Sequence, residues 1–168
     1  MGSPYLCHMA QLRRFTPEDL PWVLSAHAAH YAQVEGFDRS FAELVAKILE
    51  AFLHHRDAGC EMAWIAEDPT SQERLGCIFL TRHDPQTAKL RLFYLTPQAR
   101  GQGVAQALFD ELTQTARQLG YTELRLATHA EHLAACRFYA QNGLHLLSER
   151  PVTNYGRALT EQIWALDL

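Results

Sequence analysis

The chain has 168 residues, 48% hydrophobic and 20% charged, which suits one soluble domain with a core of its own. Its formal net charge of −4 excludes a surface built as a whole to neutralise nucleic-acid phosphates, so no nucleic-acid partner is expected. No segment approaches the roughly 18 consecutive apolar residues of a membrane span, and the N-terminus lacks the basic-then-apolar pattern of a signal peptide, so a cytoplasmic protein with no membrane partner is expected. Cys7, Cys60, Cys77 and Cys136 are scattered without a C-x-x-C pair and read as reduced thiols, neither a zinc site nor a disulfide framework. Met1-Gly2-Ser3 and the His8-Met9 pair resemble the remnant of an expression tag. The expectation is therefore a single domain over residues 9–168, with residues 1–8 a tag remnant or a disordered terminus.

Gln11 to Phe15 is a short strand candidate, and Thr16-Pro17-Glu18-Asp19 supplies a cap, a proline at the first helical position and two first-turn acids. The helix they open is expected to run to about Val34. Gly36 breaks it, Ser40 caps another, and Phe41, Leu44, Val45, Ile48, Leu49 and Phe52 recur at helical spacing. Met62–Glu67 and Leu75–Arg82 are apolar runs joined by Asp68-Pro69-Thr70-Ser71, which suits an antiparallel hairpin, and Lys89–Leu95 continues the meander. After Pro97 the period changes from two to 3.6, and Val104, Leu108, Leu112, Ala116 and Leu119 form a stripe that Gly120 ends. Glu123–Thr128 reads as a strand, Glu131–Gln141 as a helix closed by Asn142-Gly143, and Leu144–Ser148 and Leu159–Leu168 as two more strands. The sum is an α+β domain: a central mixed, mainly antiparallel twisted sheet of about seven strands flanked by four helices.

Arg100-Gly101-Gln102-Gly103-Val104-Ala105 places two glycines where a strand must turn into a helix. Glycine admits positive φ and keeps a Cβ out of the way, so backbone N–H groups and the positive helix end can receive a pyrophosphate. A phosphate-binding Walker loop would need Lys-Ser/Thr after the second glycine, and a dinucleotide-type G-x-G-x-x-G a glycine at position 106, but the chain has Val104-Ala105-Gln106.

The hexapeptide matches the [QR]-x-x-G-x-[GA] signature of the GNAT (GCN5-related N-acetyltransferase) superfamily, and Leu92-Phe93-Tyr94-Leu95-Thr96-Pro97 before it resembles that family's strand four and its exit. Ala135 to Leu144 resembles the family's A-x-x-x-Y-x-x-x-G-[FL] helix and turn, which places Tyr139. The resemblance implies the GNAT fold and an N-acetyltransferase with acetyl-CoA as cosubstrate and no metal. It implies that the amides of Gly101, Gln102, Gly103, Val104 and Ala105, with Arg100, hold the CoA pyrophosphate, and that the backbone around Phe93 and Leu95 holds the pantetheine and thioester. Tyr139 is then the expected general acid for the departing CoA thiolate. Proton transfer from a tyrosine of pKa about 10 to a thiol near 8.5 is uphill by about 2 kcal/mol, so much of the stabilisation must come from the hydrogen bond itself. Seven residues earlier, where the family often has asparagine, stands His132, expected either to contact CoA through a ring nitrogen or to sit exposed in the first turn of its helix. His129 and His132 lack nearby ligands at metal spacing.

The expected acceptor is an amine, on a small molecule or a protein lysine, and a lysine-like ammonium is neutral in about one part in 2,500 at pH 7. Glu35, followed by Gly36-Phe37-Asp38 at the end of the first helix, is the preferred base; a solvated loop acid is the competing reading. His27, His30 and Tyr31 share a helical face and either line the acceptor pocket or sit on the surface. Arg91 and Tyr94, an odd number of residues apart on one strand, are expected on opposite faces of the sheet. Thr87 to Tyr94 and Tyr155 to Trp164 resemble the acetyltransferase half of bacterial fusions with MarR-type regulators, a likeness running from about Glu35 to the C-terminus. It carries over no DNA-binding part, and a homodimer only by resemblance. A CoA-binding sensor without turnover, and an enzyme moving a larger acyl group, are the rival readings.

Overall fold

The computed structural model describes residues 9–168; the reading of residues 1–8 as a tag remnant lies outside them. In chain order the elements are β1 (Gln11–Arg14), a 3-10 turn (Pro17–Asp19), α1 (Leu20–Val34), α2 (Arg39–His55), β2 (Met62–Glu67), β3 (Arg74–Arg82) and β4 (Thr87–Leu95). A second 3-10 turn (Pro97–Ala99), α3 (Val104–Gln118), β5 (Glu123–His129), α4 (Leu133–Gln141), β6 (His145–Asn154) and β7 (Arg157–Asp167) follow. The strands form one seven-stranded sheet in the order β1-β2-β3-β4-β5-β7-β6, antiparallel except for β4 with β5. This is the mixed α+β sheet with four helices that the sequence pattern predicts.

Each face of the sheet carries its own core. On one, Val23, Val45, Leu49 and Phe52 from α1 and α2 close over Phe15, Ile65, Cys77 and Phe79. On the other, Val104, Leu108, Leu112 and Ala116, four members of the predicted α3 stripe, pack on Ile78, Leu80, Leu90 and Leu124, and Tyr139 joins them from α4. Alternation along β3, with Cys77 and Phe79 to one side and Ile78 and Leu80 to the other, makes that strand the wall between two apolar layers.

Several boundaries shift for local physical reasons. The carboxylate of Asp38, not the hydroxyl of Ser40, caps α2: its Oδ1 accepts the Ser40 amide at 3.0 Å. α4 begins at Leu133 and not Glu131, with His132 in the capping position. β6 runs to Asn154, straight through Pro151, because it lies at the sheet edge, where a missing N–H breaks no ladder.

Asp19 fastens the first corner of the chain. It is fully buried, and Arg13 of β1 grips it with two nitrogens, each at 2.8 Å. Arg74 of β3 adds Nε at 2.7 Å and the Thr16 amide donates at 2.8 Å. Arg13 also reaches Glu67 of β2 at 2.7 Å, so three strands and the first turn meet at one charge cluster. Burial works against ionisation of Asp19, but Arg13, the Thr16 amide and Arg74 overcome it and hold the carboxyl well below the usual range. A carboxylate with a depressed folded-state pKa stabilises above its unfolded value of about 4 and loses that contribution as pH falls. Asp19→Ala leaves Arg74 without its carboxylate and Arg13 with Glu67 alone, and is expected to cost about 3 kcal/mol. Urea unfolding at neutral pH reads the loss, and the variant should also show a shallower decline of stability below about pH 4 than the parent.

Candidate active site

The cleft exists because β4 and β5 part company. Their pairing covers Thr87↔Glu123, Ala88↔Leu124 and Lys89↔Arg125, whereas β5 stays paired with β7 along its whole length. From Leu90 onward β4 therefore offers one backbone edge to the gap. The second device is a bulge: Tyr94 pairs with Cys77 and Arg91 with Phe79, so Leu92 and Phe93 together face Ile78, and Leu92 takes φ 49°. Directly paired residues share a face, so Arg91 and Tyr94 both lie on the α1/α2 side, with Cys77 and Phe79. This corrects the expectation of opposite faces: parity along a strand holds only until an extra residue is inserted, and nothing in the local sequence announced the insertion.

At the end of β4, the turn Pro97–Ala99 leads into the glycine segment. Gly101 and Gly103 have φ 72° and 79°, values that suit glycine, and Gly103 caps α3. The amides of Gly101, Gln102 and Gly103 donate to no carbonyl among the described residues, and those of Val104 and Ala105 are free by position in the first turn of a helix. A Cβ at Gly101 or Gly103 would meet nothing within 4 Å, so the glycines are required for their positive φ and not by crowding. The Gln102 side chain turns back to donate to Gln98 O at 2.9 Å, leaving only its backbone for the cradle.

One cleft of about 660 Å³ joins this cradle to the rest of the site. It is lined by Arg100, Gly101, Gly103, Val104 and Ala105 of the cradle, by Phe93, Leu95, Phe138 and Tyr139, and by residues of α1, the α1–α2 loop and the β6–β7 hairpin. Tyr139 is buried, and burial, then the nearby Tyr31 and Cys136, push its phenol far above the ordinary value. It keeps its proton throughout the neutral range. Tyr31 is likewise pushed up to about 12 by burial and then by Glu35.

Glu35 caps the C-terminus of α1, where Gly36 at φ 65° turns the chain and the Phe37 amide reaches back to Tyr31 O at 3.0 Å. Its Oε1 lies 2.9 Å from His132 Nε2, an ion-pair separation without the alignment of a hydrogen bond. The two residues that the sequence considers for different tasks thus meet in the cleft. The β6–β7 hairpin holds this corner: Asp38 N donates to Tyr155 O at 3.0 Å, Arg157 Nη1 donates to Glu35 O, and the Tyr155 ring packs on Phe37 and Phe41. Tyr155 and Arg157 were missed as site residues; the Tyr155-Gly156 dipeptide marks a turn, but only the sheet shows where the turn lands.

The histidines of α1 divide. His27, His30 and Tyr31 all line the cleft, but His27 is also buried, Nδ1–H donating to Val23 O at 2.8 Å while Nε2 has no partner among the described residues. Burial lowers His27 to about 4. His30 is lowered by burial and then by Arg100, and His129 by burial and then by His132. Among the described residues no three His, Cys, Asp or Glu side chains converge as a metal set.

A glycine cradle at a helix N-terminus, beside a mixed sheet opened between its two parallel strands, defines the class of the N-acetyltransferases. The model of the Acetyltransferase (GNAT) family matches residues 23–144, and the chain belongs to that family. It is 33% identical over 104 residues to N-acetyltransferase 8B of Rattus norvegicus, covering 59% of this chain and 45% of that protein, so it spans less than half the length of that relative. Among solved structures it resembles an acetyltransferase of the GNAT family from Staphylococcus aureus Mu50, with a TM-score of 0.77 at 17% identity over 95% of this chain and 99% of that one. It also resembles a GNAT superfamily phosphinothricin acetyltransferase from Sinorhizobium meliloti solved in complex with AcCoA, with a TM-score of 0.74 at 18% identity over 95% and 89% of the two chains. Likeness at these identities concerns the fold. No helix among the described residues is long and apolar enough to cross a membrane.

His27 makes a prediction about pH. Between 6.5 and about 4 the unfolded chain binds a proton at this residue that the folded chain refuses, so stability falls as pH falls through that window. The loss is about 3 kcal/mol at full extent. Thermal unfolding across that range should show it, and His27→Gln should flatten it.

Proposed function

We propose that the protein transfers an acetyl group from acetyl-CoA to a primary amine by direct attack in a ternary complex. The observation that carries this reading is that the anion cradle and the buried, protonated phenol of Tyr139 line one continuous cleft. The amides of Gly101 to Ala105, with Arg100, receive the pyrophosphate, and the unpaired edge of β4 around Phe93 and Leu95 holds the pantetheine arm. The acceptor amine, from a small molecule or a protein lysine, enters from the side of α1 and the β6–β7 hairpin. Glu35 and His132, 2.9 Å apart, take its proton directly or through water. The neutral nitrogen attacks the thioester carbon, the tetrahedral intermediate gives up its second N–H proton by the same route to water and expels CoA thiolate, and Tyr139 meets the leaving sulfur with its O–H. His132 thereby moves, in this reading, from a CoA contact to a partner of the base. The likeness of the central and C-terminal stretches to the acetyltransferase half of MarR-type fusions, a cytoplasmic location and a homodimer belong to the same reading.

The raised pKa of Tyr139 enlarges the uphill gap to the CoA thiol, and this favours a second reading, a CoA-binding sensor without turnover. Amine-dependent release of free thiol from acetyl-CoA, across a panel of amines, separates the two: turnover supports transfer, and tight CoA binding with no amine-dependent release supports the sensor. Tyr139→Phe should lower kcat about 100-fold while leaving the acetyl-CoA Kd unchanged. An unchanged kcat rules out Tyr139 as the acid.

The cradle has its own test. Gly103→Ala forces an L residue into a left-handed conformation at the cap of α3, costing about 1–2 kcal/mol of stability and disturbing the backbone that presents the amides. Calorimetric titration should show weaker binding of acetyl-CoA, with desulfo-CoA weakened equally because the loss lies at the pyrophosphate.

A further inference from the structure

The acceptor end of the cleft holds two cations that the reaction does not use. Lys89 and Arg91 stand two residues apart on β4, about 7 Å along the strand, and both line the cleft. Pairing of Arg91 with Phe79, and of Lys89 with Thr81 two residues along, sets them on the α1/α2 side of the sheet, away from α3. They are also far from the cradle, since Arg91 is four residues, or about 13 Å, short of the end of β4. The pyrophosphate site is therefore not what they serve.

Neither has an ion-pair partner or a side-chain hydrogen bond among the described residues. The carboxylates of the cleft are already engaged. Glu161, the acid whose charge reaches Lys89, is held by Arg150 at 2.8 Å; Glu131 accepts the Thr160 amide at 3.0 and 3.2 Å; Glu35 faces His132. Both cations are half-buried, and burial lowers the pKa of each, with Arg91 adding to the effect on Lys89. A guanidinium withdrawn from water and left without an anion costs free energy that a ligand carboxylate would recover by bidentate pairing. Beside the pair stand Phe41 and Tyr155, an apolar wall for the body of such a ligand.

We propose that the acceptor amine carries a carboxylate, received by Arg91 and Lys89 on the floor of the cleft, so that the substrate class is amino-acid-like. This rests on the acetyl-transfer reading above and adds polarity to it: the amine is directed toward Glu35 and the thioester, and the acid toward β4. A polyamine, by contrast, would bring its second ammonium against two fixed cations.

Two measurements test it. The first compares initial rates for α-, β- and γ-amino acids, each beside its own amide, in the parent, Arg91→Gln, Arg91→Lys and Lys89→Met. Expected is a preference for the acid in the productive pairs and a fall of about 10- to 100-fold in the acid-to-amide ratio of kcat/KM in Arg91→Gln, carried by KM. Arg91→Lys should restore part of the ratio, and the acetyl-CoA Kd confirms an intact fold. Preference for amides or diamines, or an equal loss for acid and amide, overturns the proposal.

The second needs no turnover. In CoA-saturated protein, the Arg91 Nε resonance is followed during titration with succinate and with 3-phenylpropionate. A saturable shift, abolished when Lys89→Met and Arg91→Gln are combined and the remaining resonances are followed, supports the anion site even if no amine is ever acetylated, in which case the transfer reading fails alone. Absence of any saturable response to either acid at millimolar concentration overturns the anion site and leaves acetyl transfer untouched.

Discussion

The site depends on where the parallel ladder between β4 and β5 stops. Up to Lys89 the two strands satisfy each other; beyond it β5 continues on β7 and β4 is left with an open edge. An unpaired strand edge inside a protein is a standing cost unless water or a ligand completes it. The gap is wide enough to hold a cleft because helices on both faces anchor the sheet: α1 and α2 over one core, α3 over the other. The strand that ends in the glycine cradle is thus also the strand that presents its backbone to whatever the cradle anchors.

The bulge at Leu92 and Phe93 does the sorting. Without it, alternation would send Arg91 and Tyr94 to opposite faces; with it, Phe93 turns to the α3 side while Arg91, Leu92 and Tyr94 face α1 and α2. One inserted residue therefore sets Phe93 beside Phe138 on one side of the sheet and leaves Arg91 and Tyr94 with the charged and aromatic groups of the other. Burial of the Cys77 thiol, fully enclosed and donating to Leu92 O at 3.2 Å, supports the residue held at positive φ.

Much of this was legible in the sequence, and the part that was not follows a rule. Periodicity over fifteen residues identified α3, and Asp68-Pro69 with its neighbours identified the β2–β3 hairpin, because helices and turns are local. The glycine segment stands out as well, but a lone G-x-G is more often a tight loop, and only its resemblance to the family signature, with the strand before it, marks it as a cradle. What escaped was non-local. The bulge arises from pairing with β3, the contact between Glu35 and His132 spans nearly a hundred residues, and the Asp19 cluster joins three strands. Glu35 and His132 were both noticed from their neighbours in sequence, yet no periodicity could say that they touch. Asp19 read as an ordinary first-turn acid, and only its two guanidinium partners make it structural.

Few of the tyrosine and histidine rings that line the cleft change charge near neutrality. Burial raises the phenols of Tyr31, Tyr94, Tyr139 and Tyr155 and lowers His27, His30 and His129, which leaves both kinds of ring uncharged. Amid these rings Glu35 and His132 meet where α1, α4 and the β6–β7 hairpin converge. A low-polarity site also strengthens each remaining charge interaction, because water no longer screens it. The same desolvation that makes Tyr139 a reluctant acid would make its hydrogen bond to a thiolate stronger, since an anion formed there has little else to stabilise it.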